Sequence, residues 1–134
     1  MGYQPPKRKA WSKEVRQRVK MRFDGRCAYC GCELGSRFAL DHHYAIGVYG
    51  ERADVEENLF PSCIQCNHYK GEGSVETMRR LICRTYDNLV AKSLTGRIAA
   101  AYGLLNRKDA VRFWFENYQI EKPKFIINME CAAK

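Results

Sequence analysis

Apolar and polar positions first fall into register at Trp11, Val15, Val19 and Phe23, which recur every four residues from the Trp11-Ser12 pair, and Ser12 is a residue type that caps helix N-termini. The spacing predicts a helix that ends at Asp24-Gly25. Its other faces carry Lys13, Arg16, Arg18, Lys20 and Arg22, either a surface for phosphates or a solvated face. At Phe38 and Leu40 the period becomes two, which predicts a short strand delivering Asp41 at its end. Residues 44–57 hold neither period and, with Gly47 and Gly50, read as an ordered loop. Asn58-Leu59-Phe60-Pro61 then turns back, and Pro61, which lacks a donor, bars a central strand from continuing through it. A longer helix is predicted behind Ser74, with Val75, Met78, Ile82, Tyr86 and Leu89 facing the core, and a second over residues 95–105. Val111, Phe113 and Phe115 alternate with Arg112, Trp114 and Glu116, which predicts a short, half-buried C-terminal strand. Phe125-Ile126-Ile127 offers packing material only. The expected class is α+β.

Length and composition narrow the picture. A chain of 134 residues suits one domain with a modest core, and 46% hydrophobic against 28% charged residues places it among folded rather than disordered chains. Residues 1–10 contain Pro5-Pro6 and Lys7-Arg8-Lys9 and read as a flexible basic arm, for phosphates or simply solvated. They show no apolar core of a signal peptide, no run reaches the length of a membrane span, and the expected compartment is the cytoplasm. The net charge of +8 suits a polyanionic partner, and four thiolates with one divalent ion would lower it only to about +6.

Seven cysteines do not pair off, and four of them sit in two C-x-x-C hooks, Cys27/Cys30 and Cys63/Cys66, which argues for metal rather than disulfides and for a reducing compartment. Two such hooks supply the four sulfurs of a tetrahedral structural Zn²⁺, with Gly31 permitting the tight knuckle turn. Cys32 is a less suitable stand-in for Cys30, and Cys83 and Cys131 lie outside the pattern. Between and beside the hooks stand Asp41, His42, His43, Asn58 and Asn67, the oxygen and nitrogen groups of a hard-metal hydrolytic site.

The run Cys27-Ala28-Tyr29-Cys30-Gly31, then Leu40-Asp41-His42, then Asn58-Leu59, then Cys63-Ile64-Gln65-Cys66-Asn67-His68-Tyr69-Lys70-Gly71 resembles the zinc-containing form of the HNH endonuclease family over about residues 11–82. The resemblance implies a small ββα-metal core stapled by the four-cysteine zinc site, with flanking helices. Residues 11–134 would then be a single nuclease domain, with motif core 27–70 and a C-terminal helical extension over 74–134. It implies Asp41 and Asn67 as ligands of a catalytic Mg²⁺ or Mn²⁺, His42 as general base, and Asn58 as the residue holding the loop that bears the base. Ala45 and Gly47-Val48-Tyr49-Gly50 stand where the family often has Pro and Gly-Gly.

The implied roles make chemical sense. Hydrolysis of a phosphodiester needs a base that is neutral near pH 7, which an imidazole of ordinary pKa about 6.5 supplies, and a hard cation to stabilise charge on phosphate. Strict alternation would pair Asp41 with His43, so His43 stands as the alternative base; His68 reads as a surface residue. Lys70 is a candidate phosphate contact, or else a structural lysine. The leading expectation is a metal-dependent endonuclease cutting one or both strands of double-stranded DNA, with a homodimer suited to double-strand cuts. Small members of the family occur in phage genomes and mobile elements. The competing expectations are a zinc-stabilised nucleic-acid-binding module and a zinc-stabilised protein-interaction module, neither catalytic.

Overall fold

The computed structural model describes Gly2 and residues 9–133, so the basic arm expected over residues 1–10 lies, but for three residues, outside the described residues. In chain order the elements are α1 (Lys13–Met21), β1 (Ala39–His42), α2 (Ile46–Tyr49), β2 (Leu59–Ser62), α3 (Ile64–Lys70), α4 (Val75–Lys92), α5 (Leu94–Ala101) and α6 (Lys124–Ala132). Among the described residues these make an α+β chain with six helices and one two-stranded antiparallel sheet. Contacts divide it into two compact units, Met1–Ser74 with Phe113–Lys134, and Val75–Arg112.

In the first unit, α1 starts where Ser12 Oγ accepts the Val15 N–H at 3.2 Å, and it stops at Asp24 and Gly25, both in the left-handed region. Its apolar stripe lies as expected, with Val19 and Phe23 buried and Trp11 and Val15 half-buried. Much of its basic face is engaged within the protein. Arg16 donates to the Phe38 carbonyl at 2.6 Å, Arg18 pairs with Glu56, Lys20 donates to the Gly35 carbonyl, and Arg22 reaches the Leu59 carbonyl at 3.1 Å.

β1 and β2 pair with Asp41 opposite Phe60 and His42 opposite Leu59. The strand runs one residue past its expected end at Asp41, to His42. Pro61 lies inside β2. Its missing donor is harmless because the sheet has only two strands, and its carbonyl accepts the Ala28 N–H at 2.8 Å. Around this pair Val19, Phe23, Cys27, Tyr29, Leu59 and Phe60 are exposed by 1% or less, with the Phe23 and Phe60 rings 5.0 Å apart.

The C-terminal strand expected over residues 111–116 does not form. Trp114 and Phe115 donate in succession to the carbonyls of Tyr29 and Ala28, and successive amides aimed at adjacent carbonyls make a turn rather than a ladder. A 3₁₀ turn, Trp114–Asn117, follows. The alternation that suggested a strand instead sets Phe113 and Phe115 against the edge of Tyr29, their centroids 5.7 and 6.1 Å from it. The segment the sequence offered only as packing is helix α6, with Ile126 buried and Phe125 edge-on to Tyr44 and Tyr49.

In the second unit, α4 and α5 are joined by Ser93, whose N–H reaches the Leu89 carbonyl and whose Oγ caps α5 through the Gly96 N–H at 3.0 Å. Of the stripe expected along α4 only Val75 and Met78 are buried; Ile82 and Tyr86 are half-buried and Leu89 is exposed, so the stripe is not wholly inward. The hairpin closes on Gly96, where an added Cβ would lie 2.5 Å from the Leu89 carbonyl oxygen. Gly96→Ala is therefore expected to force α4 and α5 apart at a cost of about 1–3 kcal/mol. Hydrogen exchange should show this as lost protection in α4 and α5, with β1 and β2 unchanged. No helix among the described residues is long and apolar enough to cross a membrane.

Candidate metal centre and acid-base cleft

The first hook is the tip of a small hairpin, bridged at Arg26 and Glu33, in which the Cys27 N–H reaches the Cys32 carbonyl at 2.8 Å and the Gly31 N–H reaches the Cys27 carbonyl at 3.0 Å. Gly31 takes φ +78°, which a side chain would resist, and the Trp114 ring packs over it. The second hook opens α3, with Cys63 as its N-cap and its sulfur accepting the Cys66 N–H. Joined through Ala28 and Pro61, the two hooks bring the sulfurs of Cys27, Cys30, Cys63 and Cys66 within 4.8 Å of one another. Cys32 stands outside this set.

The protons on these sulfurs are unevenly shared. A hydrogen bond from Cys66 holds the Cys27 thiol down to about 4, and the same bond pushes the Cys66 thiol up. Four crowded thiolates repel unless a cation stands among them. The donor set therefore fits a metal ion such as zinc, with all four tetrahedral positions supplied by protein.

Beside this centre, Asp41, His42, Asn67, Gly71 and Glu72 help line a cleft of about 140 Å³. β1 delivers the first two and α3 the third. Asp41 is 6% exposed, accepts the Tyr29 hydroxyl, and lies 3.2 Å from the Lys70 ammonium. Burial raises the Asp41 carboxyl above its usual value, with Lys70 and Tyr29 acting against the rise. Burial, and then the charge of Asp41, raises the Tyr29 phenol well above its ordinary value, so it remains a donor.

Lys70, a candidate phosphate contact, is placed elsewhere. Its side chain is fully buried, and it donates to the His42 carbonyl at 3.2 Å as well as to Asp41. A buried ammonium needs such partners, and these two occupy it.

The two neighbouring histidines separate. His42 Nε2 lies 2.8 Å from Asp54 Oδ1. His43 stacks on Phe60 at 4.1 Å and borders a different cavity, of about 240 Å³, beside Tyr44 and Phe115. Burial, then the charge of Lys70, takes its pKa down to about 3, and its Nδ1 is buried without a hydrogen-bond partner among the described residues. His68 is exposed on α3.

Asn58 is fully buried and brackets the loop between the strands. Its Oδ1 accepts the Tyr44 N–H at 2.9 Å, and its Nδ2 donates to the carbonyls of Tyr44 at 3.0 Å and Ala53 at 2.8 Å. Asn58→Ala removes three hydrogen bonds and strands their partners, for an expected loss of about 2–4 kcal/mol. The urea midpoint should fall accordingly, while the four-cysteine set still takes up added zinc as in the wild type.

No family model matches the chain, and no curated protein or solved structure does.

In and around the cleft stand three residues to which the sequence assigned no role. Tyr29 belongs to the first hook's motif, which assigns it no role, and its hydroxyl donates to Asp41. Glu72 lines the cleft and accepts the Gly47 N–H at 3.0 Å. Asp54 lies in the aperiodic loop, where no spacing links it to His42. Burial would raise the Asp54 carboxyl, but hydrogen bonds from His42 and from the Lys9 N–H hold it below its ordinary value. The cleft thus sets a carboxylate and an amide, both hard oxygen donors, beside an imidazole.

Proposed function

We propose that the chain is a metal-dependent endonuclease of the HNH kind, with β1, β2 and α3 as its ββα core, that hydrolyses DNA phosphodiester bonds. The observation that supports this most is the convergence of Asp41, His42 and Asn67 on one cleft, on elements braced by the four-sulfur centre. The sulfurs would hold a structural zinc, and Asp41 and Asn67 a Mg²⁺ or Mn²⁺. The residues fit such an ion: a carboxylate has about four lone-pair sites, and the contacts of Tyr29 and Lys70 fall mainly on Asp41 Oδ2, with Oδ1 only 3.5 Å from the ammonium. When bound, the ion would stabilise negative charge on the phosphate and on the leaving oxygen.

The protein's own groups perform the rest. His42 takes the proton from the attacking water, the Asn58 brace keeps the neighbouring loop in place, and Tyr29 and Lys70 hold the Asp41 carboxylate in one orientation. Attack in line with the bond to the leaving 3′ oxygen yields a 5′-phosphate and a 3′-hydroxyl. The net charge of +8 suits the duplex as substrate.

One observation favours a second reading, a zinc-stabilised nucleic-acid-binding module without catalysis. The buried Lys70–Asp41 pair gives Asp41 a structural task that needs no cation. Supercoiled plasmid separates the two. With the zinc-loaded protein and added Mg²⁺ or Mn²⁺ it is expected to become nicked or linear, and to stay intact without the added ion. Retarded but uncut plasmid with both ions would establish the second reading in place of the first.

A further inference from the structure

We propose that Asp54 is a positioning residue for His42, fixing the imidazole with its proton on Nε2 and its bare lone pair on Nδ1. The catalytic consequence rests on the endonuclease reading above; the pairing itself does not.

Asp54 is 2% exposed, and its Oδ1 lies 2.8 Å from His42 Nε2. An ionised carboxylate only accepts hydrogen bonds, so the hydrogen between them belongs to the ring. A neutral imidazole has one N–H. Once Nε2 holds it, Nδ1 is the nitrogen able to take a proton from water. Among the described residues Nδ1 meets no hydrogen-bond partner, and His42 borders the cleft.

The carboxylate is itself held from three directions. Its second oxygen accepts the Lys9 N–H at 2.6 Å. Its backbone closes the 3₁₀ turn Glu51–Ala53, the Asp54 N–H reaching the Glu51 carbonyl at 3.0 Å. The adjoining Ala53 carbonyl is gripped by Asn58. Asn58 therefore reaches the base through the loop and Asp54, and a ring so held loses little freedom on binding substrate. Neither Asp41 nor Asn67 hydrogen-bonds to this pair.

Two measurements on the zinc-loaded full chain test the proposal. Nitrogen-15 NMR of the wild-type imidazoles is expected to show His42 protonated on Nε2, and Asp54→Asn, whose amide can present N–H to Nε2, to move the proton towards Nδ1. In plasmid cleavage, Asp54→Asn is expected to lower kcat by on the order of 10²-fold while leaving KM for DNA nearly unchanged, and Asp54→Glu to restore part of the rate. Proton on Nδ1 in the wild type, or Asp54→Asn cleaving at the wild-type rate, would overturn the assignment. If the wild type cuts no DNA, the endonuclease reading fails, and the wild-type NMR tautomer alone decides for or against the pairing. Should Asp54→Asn not fold, the wild-type tautomer and the Asp54→Glu rate still decide it.

Discussion

Cys66→Ser is expected to unfold the first unit at room temperature. Its sulfur belongs to the set of four that joins the small hairpin to the start of α3, and no disulfide is present among the described residues to take its place. The sheet that carries Asp41 has only two strands of four residues each. Structural zinc contributes roughly 10–16 kcal/mol in small finger domains, whereas a whole domain is stable by only about 5–15 kcal/mol. Losing one of the four ligands such an ion would have gives up a large part of a contribution comparable to the stability of the whole domain. Circular dichroism of Cys66→Ser, with the zinc content measured by mass spectrometry, should show a metal-poor and largely unfolded unit. A metal-free variant that keeps exchange protection in β1 and β2 would contradict the prediction. The consequence extends to the cleft: Tyr29 lies between the cysteines of one hook and Lys70 at the end of the helix opened by the other, and both hold Asp41.

His42→Ala is expected to reduce plasmid cleavage by about 10²–10⁴-fold, the usual contribution of a positioned base. The fold should survive, because the ring sits at the end of a strand and its loss costs Asp54 one partner, about 1–3 kcal/mol. His43→Ala should behave in the opposite way. It removes a ring stacked on Phe60 and leaves a void, costing about 2–4 kcal/mol of stability, while the rate per folded molecule is kept. Rates normalised to the folded fraction distinguish the two. Cleavage that survives His42→Ala and disappears in His43→Ala would transfer the role of base to the second histidine.

Local spacing is legible because it reflects what neighbouring residues do to one another. Ser12 capping α1, Asp24-Gly25 ending it, the short strand before His42, and Cys63 and Cys66 one turn apart are short-range facts, and each reads from the chain. The grouping of Cys27, Cys30, Cys63 and Cys66 also reads from it, because few chemistries need two hooks of that bite. The misread strand at residues 111–116 shows the limit. A period of two records which side chains are buried, and rings flanking Tyr29 satisfy it as well as a sheet does.

By itself, then, the sequence determined the class, the two hooks and the order of Asp41, His42, Asn58 and Asn67. Tertiary structure decided which partners those groups keep: Lys70 buried on Asp41 rather than facing solvent, His43 on Phe60, and Asp54 on His42. The reason is physical. A buried charge settles on polar atoms the folded chain brings within about 3 Å and a ring on the apolar surface it meets, and both depend on where a 14-residue loop closes, which no local period encodes.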